Sequence, residues 1–356
     1  MWDITALGEL LIDMAPISVN DEEDQPVSAY LPKPGGAPAN CIAQLAKLGK
    51  KVAMIGCVGH DVFGQRILDA LRDVDIDVSG VQVDTEILTT LAFVSLNEEG
   101  DREFTFYRKP GADLRVKWNR QAEGLIRNSY IFHLGTLSLV DEPSMTTTMK
   151  ALECAQESGK LISFDPNFRL NLWTSFRALR EATAAILPYA HVVKISGDEL
   201  RAFCHPDQVQ ELVNPKGKRE YFLPDVQPEE DEVKEDIGRL FKDYPQLKIL
   251  AVTFGAKGSI LAMKDRKVFI PAFSIRAVDT TGSGDAFMGA LLSGLLENKV
   301  EGKFGVDGIF WDDLALEEMG RFANACGAYA ALRYGAIPSL GEKDKVEEFI
   351  YSFQDK

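Results

Sequence analysis

The chain has 356 residues, enough for one large core, and its 46% apolar and 26% charged content is that of an ordinary globular protein. A net charge of -15 argues against a nucleic-acid backbone or an anionic membrane as the main partner, although a few local donors can still hold phosphates. Five scattered cysteines without metal spacing, and no run near the ~18 apolar residues of a membrane helix, predict free thiols in a reducing cytoplasm.

In chain order, Met1 to Gly8 has no basic region ahead of an apolar run and predicts a first strand, without a secretory signal. Ile4 to Leu7, Val52 to Val58, Tyr130 to Leu134, Leu161 to Phe164, His191 to Lys194 and Ile249 to Thr253 read as buried strands. Helical stretches such as Phe63 to Leu71 and Pro143 to Glu157 lie between them. That alternation predicts an α/β fold, a mostly parallel sheet with helices on both faces and ligands beyond the strands' carboxyl ends. Gly8, Asp13, Asp165 and Thr253 are expected at or just past such ends.

Gly35-Gly36-Ala37-Pro38-Ala39-Asn40 leads into a helix with Pro38 in its first turn and Gly49 at its end. The glycine pair lets a ligand reach the backbone, and Asn40 offers both a donor and an acceptor. A plain loop–helix–strand connection with structural glycines is the alternative. Leu91 to Leu96 and Arg102 to Arg108 read as a hairpin around the turn Asn97 to Asp101. Its aromatic and β-branched residues exceed what the main sheet can cover, so a second subunit is expected to pair with it. Asn214 to Asp236, with prolines and the block Glu229-Glu230-Asp231-Glu232, predicts a surface loop with little regular structure. Lys299 to Asp313 is a further interruption, and its Phe304, Phe310 and Trp311 need a packing site.

Asp279 to Ala290 carries the most chemistry. Gly282, Ser283 and Gly284 stand just before Asp285, which opens an apolar helical run through Leu291, Leu292 and Leu296. Unpaired N–H groups at a helix start bind anions, and an acid beside such a hole suits a general base for a hydroxyl attacking a phosphoryl group. A capped helix after a flexible loop is the alternative. No Gly-Lys-Ser/Thr follows a spacer and no dinucleotide fingerprint follows the first strand, so neither a P-loop nor a Rossmann oxidoreductase is indicated.

The segments from Gly35 to Gly59 and from Asp279 to Leu292 resemble the two signatures of the ribokinase-like (PfkB) carbohydrate kinases, in the family's order and separation. Within that family, Gly8 to Asp13, Glu103 to Arg108 and Asp165 to Arg169 look most like fructokinases. The resemblance implies one kinase domain over 1–356, with a small β lid from about 14–34 and 88–112 and a surface insertion at 213–236. It implies ATP with Mg²⁺, no nucleic acid, no membrane, and a homodimer joined through the lid. Asp285 would be the base and Gly282, Ser283 and Gly284 the anion hole.

Asp13, Gly35, Gly36 and Asn40 match positions that contact sugar hydroxyls, and Arg108 and Arg169 add cations at the mouth. Lys194 and Ser196 with Glu199 match an Asn-x-x-Glu position, Ser196 replacing the Asn; Glu199 would meet Mg²⁺ through water. Thr253, Gly255 and Gly258 resemble the nucleotide loop, and Asn324 a position lining the adenine pocket. Asp279, Thr281, Ala330, Gly335 and Ser339 match a K⁺ site. The implied reaction is phosphorylation of D-fructose to fructose 6-phosphate. The alternatives are 2-keto-3-deoxygluconate kinase, whose arginines would pair with the substrate carboxylate, then a nucleoside kinase or a non-catalytic sugar-binding relative.

Overall fold

The computed structural model describes residues 1–20, 26–96, 102–213, 219–222, 230–297 and 312–353. The chain enters through β1 (Trp2–Leu7), leaves for β2 (Leu11–Asn20) and β3 (Pro26–Gly35), and returns as β4 (Val52–Gly59) and β5 (Ile76–Asp84). β6 (Thr90–Leu96) and β7 (Arg102–Tyr107) follow, then β8 (Ser129–Leu134), β9 (Leu161–Phe164) and β10 (Val192–Ser196). β11 (Gln210–Val213) and β12 (Arg219–Phe222) form a small antiparallel pair. β13 (Ile249–Thr253), β14 (Gly258–Met263) and β15 (Arg266–Pro271) complete the strands.

Nine strands make the main sheet, in the order β15-β14-β13-β10-β9-β8-β1-β4-β5. It is parallel from β13 to β5, and β14 and β15 add an antiparallel edge. Successive residues of a strand point to opposite faces, so a sheet covered on both sides needs continuous apolar runs. β4 meets that requirement, with every residue buried. Its Met54 joins a cluster containing Ile42, Leu291 and Ala323, while Ile55 faces a second one containing Leu152, Ile237 and Leu240. The helices Ala37–Lys47, Ser283–Glu297 and Asp313–Ala330 therefore cover one face, and Ser144–Glu157 and Glu230–Asp243 the other. The expected α/β architecture holds.

The second sheet has the order β3-β2-β6-β7. Its register aligns Lys33, Asp13, Ala92 and Phe106 in one row across the strands, so their side chains share a face. The opposite face carries an aromatic row: Phe93 meets the ring of Tyr30 at 5.1 Å and that of Tyr107 at 5.3 Å, both edge-on. Tyr30 and Tyr107 are exposed.

Two expectations change. Asp13 does not sit just past a strand end of the main sheet; it lies inside β2, because the chain turns into the second sheet at Leu11. The stretch from Asn214 to Asp236 is not devoid of regular structure. β12 pairs with β11 across it, and Glu230 to Asp236 begin a helix whose Val233, Ile237 and Leu240 are buried at helical spacing. Of the acidic residues that suggested a loop, Glu230, Asp231 and Glu232 form that helix's first turn, where negative charge favours the helix dipole. The turn 97–101, the remainder of that insertion and the aromatic residues of 299–311 lie outside the described residues.

Candidate active site

The loops beyond the carboxyl ends of β1 and β9, the end of β10, the inner face of the second sheet and the start of the Ser283–Glu297 helix surround one cavity of about 300 Å³. Asp13, Asn40, Phe106, Arg169, Lys194 and Asp285 are in its wall, together with Gly36, Gly282 and Gly284.

Asp285 occupies the first turn of its helix. Gly282 precedes it with φ +80°, a conformation that glycine adopts without strain and that swings the chain into the helix start. The first N–H groups of a helix have no intrahelical acceptor; here the Ser283 N–H turns back to the Thr280 carbonyl at 3.1 Å, while the buried Ser283 hydroxyl has no partner. This donor cluster fits an anion. Asn40 reaches across and donates from Nδ2 to Asp285 Oδ2 at 2.8 Å. Burial raises the Asp285 pKa above the usual carboxylate value, against the pull of the Asn40 hydrogen bond and of Lys194 and Arg169. The result is a carboxylate that is held in place and made more basic beside an anion hole.

Lys194 lies opposite that hole, 6% exposed. Its Nζ pairs with Asp165 Oδ2 at 3.0 Å and would stand 3.0 Å from a Cβ built on Gly284. A glycine at 284 therefore admits the ammonium to the helix start. Burial pushes Asp165 up to about 6, with Lys194 opposing. Lys194 itself stays protonated despite burial because Asp165, Glu199 and Asp285 face it. Asp165 Oδ1 is buried and has no partner, a hard oxygen that fits a hydrated divalent cation.

The glycine pair has a steric cause. A Cβ on Gly36, which has φ +124°, would collide with the carbonyl of Glu9, and one on Gly35 with the Asp13 carboxylate. Glu9 Oε1 accepts from Ala37 N at 2.7 Å, which ties the end of β1 to the Asn40 helix, and burial pushes this carboxyl up to about 7. Glu9, Asp165, Phe106 and Asn167 are in or behind the cavity wall, yet the sequence did not single them out as site residues. Nothing near Glu9 or Asp165 in sequence marks a partner, since each one's partner lies 28 or 29 residues away.

Several expected residues stand outside the cavity. Arg108, 4% exposed, donates from Nε and Nη2 to Asp113 and from Nη2 to the Leu137 carbonyl at 2.8 Å. Asp113 also accepts from Thr90, so Arg108 is a locked strut behind the wall. Glu199 engages both oxygens with backbone, accepting from Phe168 N at 2.6 Å and Ser196 N at 2.8 Å in a capping box. Ser196 and Thr253 are register partners at the ends of β10 and β13. Gly255 and Gly258 have φ +54° and +123°, and a Cβ on Gly258 would collide with the Ile270 carbonyl. Asn324 donates to the carbonyls of Ile270 and Pro271 at 3.1 and 3.2 Å and accepts from Ser259, so its amide clamps β14 and β15.

Asp279 accepts from Thr281 N at 2.8 Å and from Gly335 N at 2.9 Å, bracing the loop before the anion hole against the loop after the Asp313–Ala330 helix. Ala330 ends that helix, and the buried Ser339 hydroxyl donates to the Ala336 carbonyl at 2.8 Å. Among the described residues no group of three or more His, Cys, Asp or Glu side chains could hold a metal by itself, so a divalent cation here would need ligands from a bound phosphate.

The profile of the pfkB family carbohydrate kinases matches residues 1–343. The chain is 36% identical over 347 residues to fructokinase-1 of Zea mays, covering 98% of this chain and 97% of the relative. The crystal structure of fructokinase with bound ATP from Xylella fastidiosa superposes with a TM-score of 0.80 at 27% identity, covering 100% of both chains. A fructokinase double mutant from Vibrio cholerae, in its fructose, ADP and potassium ion bound form, gives 0.76 at 27% identity over 98% of each chain.

Proposed function

The chain belongs to the pfkB family of carbohydrate kinases, and from that premise we propose that it transfers the γ-phosphate of ATP to D-fructose, giving fructose 6-phosphate. The observation that carries the reading is the meeting of Asp285, the Gly282–Gly284 helix start and the hydroxyl-binding groups Asp13 and Asn40 around one cavity. Relatives named fructokinase at 36% identity over nearly the whole chain, and structural neighbours described with ATP and with fructose, support the sugar and the donor.

Asp13 and Asn40 hold the sugar and aim one hydroxyl at Asp285. Asp285 accepts its proton as the oxygen bonds to the γ-phosphorus, and the bond from that phosphorus to the bridging oxygen breaks, its electrons leaving with ADP. The open N–H groups at the Gly282–Gly284 helix start, the Ser283 hydroxyl and the Lys194 ammonium face the charge that spreads over the phosphoryl oxygens. Mg²⁺ would neutralise the nucleotide phosphates; Asp165 Oδ1 is the open carboxylate oxygen that would accept from its waters, and Glu199, whose two oxygens hold the Phe168 and Ser196 N–H groups, would act through the loops it ties together. Ser196, Thr253, Gly255, Gly258 and Asn324 shape the nucleotide side. Potassium, with which the Vibrio cholerae neighbour is described, would sit against the loops that Asp279 braces, at Thr281, Ala330, Gly335 and Ser339. Free thiols at all five cysteines fit a reducing cytoplasm.

A panel of fructose, ribose, 2-keto-3-deoxygluconate and adenosine, read by coupled ADP release, tests the assignment. Fructose is expected to give the highest kcat/KM. Arg169, in the cavity wall, is expected to aid turnover by offsetting phosphate charge, so Arg169→Ala lowers kcat without abolishing fructose binding. A preference for the acid sugar that disappears in Arg169→Ala would replace fructose by 2-keto-3-deoxygluconate.

The second sheet supports a homodimer joined through its outer face, where Tyr30, Phe93 and Tyr107 form an aromatic row with two of the rings exposed. Tyr107→Glu is expected to shift sedimentation from dimer to monomer. A monomeric wild type at micromolar concentration would contradict this arrangement.

A further inference from the structure

A second cavity, of about 590 Å³, lies along the edge of the small sheet and against the first. Phe106 lines both. The same short segments flank them: Leu137 borders the first and Val140 the second, Arg169 the first and Asn171 the second. β7 ends its sheet, so the wall between the cavities is one edge strand deep. Arg108, also in the second cavity's wall, cannot swing to open or close the passage, because Asp113 and the Leu137 carbonyl hold its guanidinium. Exposed Leu88 shows that the second cavity opens to solvent.

Register explains why Phe106 is the divider. It shares the site-facing row with Asp13, and only Ala92 stands between them. An alanine leaves the neighbouring ring room beside the hydroxyl-binding carboxylate, and the same residue borders the second cavity. We propose that Phe106 sets the upper size of the acceptor by separating the monosaccharide site from this second cavity, which would otherwise accept an apolar substituent carried on the sugar. The inference rests on the cavity around Asp13 and Asp285 being the acceptor site, and not on which monosaccharide occupies it. Pocket walls of this kind discriminate by roughly 10–200-fold per removed or added apolar group.

The test compares kcat/KM for fructose and for a benzyl fructofuranoside with a free 6-hydroxyl, in wild type, Phe106→Ala, Phe106→Leu and Tyr30→Ala. The expected result is at least about a tenfold rise in the benzyl-to-parent ratio in Phe106→Ala, a smaller rise in Phe106→Leu and no change in Tyr30→Ala, which loosens the outer face of the same sheet and lines neither cavity. Most of the loss toward the unsubstituted sugar should lie in KM. An unchanged ratio in folded Phe106→Ala, or in Phe106→Leu if the alanine variant does not fold, would overturn the proposal. An equal rise in Tyr30→Ala would also overturn it. If wild type prefers another monosaccharide, the fructose reading fails by itself, and the ratio is read on that sugar and its benzyl glycoside.

Discussion

Asp285→Asn is expected to lower kcat by roughly 10²–10⁴ while changing sugar affinity little, because it keeps the shape and removes proton acceptance. The Asn40 amide reaches across the cavity to this carboxylate at 2.8 Å, so an isosteric amide can keep the contact and the fold. Retention of more than a tenth of the wild-type rate would remove Asp285 from the role of base. The pH profile gives an independent reading. The base works only when ionised, and burial raises its pKa, so activity should fall as pH drops through that raised value. The Asn40 donor favours the ionised form; Asn40→Ala should therefore move the acid limb to higher pH. A limb unmoved by that change would argue that another group is titrating.

Lys194→Met is the second large effect. It preserves much of the side chain's bulk but removes the ammonium that stands over Gly284, so a loss of roughly 10²–10³ in kcat is expected from lost charge stabilisation. It also leaves Asp165 buried without its cation. Breaking one side of a buried pair costs about 3–5 kcal/mol, whereas replacing both sides is often neutral. Lys194→Met should thus lower Tm, and Lys194→Met with Asp165→Asn should restore Tm without restoring turnover. Recovery of turnover in the double variant would mean that Lys194 serves packing alone.

Local pattern made most of the fold legible in the sequence. Buried strands in a parallel sheet are near-continuous apolar runs, as in β4 and β13, and the cores of β8 and β9 are broken only by His133 and Ser163, which bond each other at 2.9 Å. The start of the helix at Ser283 and the turn into the Asn40 helix were legible because small residues abutting a helix leave its backbone donors open to close approach. Pattern failed where charge misleads. The acidic block at Glu229 to Glu232 reads as a solvated loop, yet it leads into a helix anchored by Val233 and Ile237.

The candidate site was only partly legible, for a different reason. Asp285, Asn40, Asp13 and Arg169 meet in one cavity wall, joined there by Lys194, which the sequence grouped with the nucleotide residues. Arg108 does not, since Asp113, five residues on, captures its guanidinium in the core. A charged side chain carries no sequence mark of whether its partner will be substrate or protein. Glu9 escaped notice, and Asp165 was placed at a strand end without a role, by the same rule in reverse: each is an isolated carboxyl that acquires meaning only when Ala37 or Lys194 is brought to it. Phe106 looked like lid packing, and its position between two cavities follows from strand register, which sequence does not give.

The most direct test of the central claim is phosphorus NMR of Mg-ATP and fructose incubated with wild type and with Asp285→Asn at equal concentration. The expected wild-type spectrum gains ADP and a single sugar-phosphate resonance assigned to the 6-position, and the variant forms that product at least about a hundredfold more slowly. ADP without any sugar phosphate, or the same rate of product formation in both proteins, would contradict a kinase that works through Asp285.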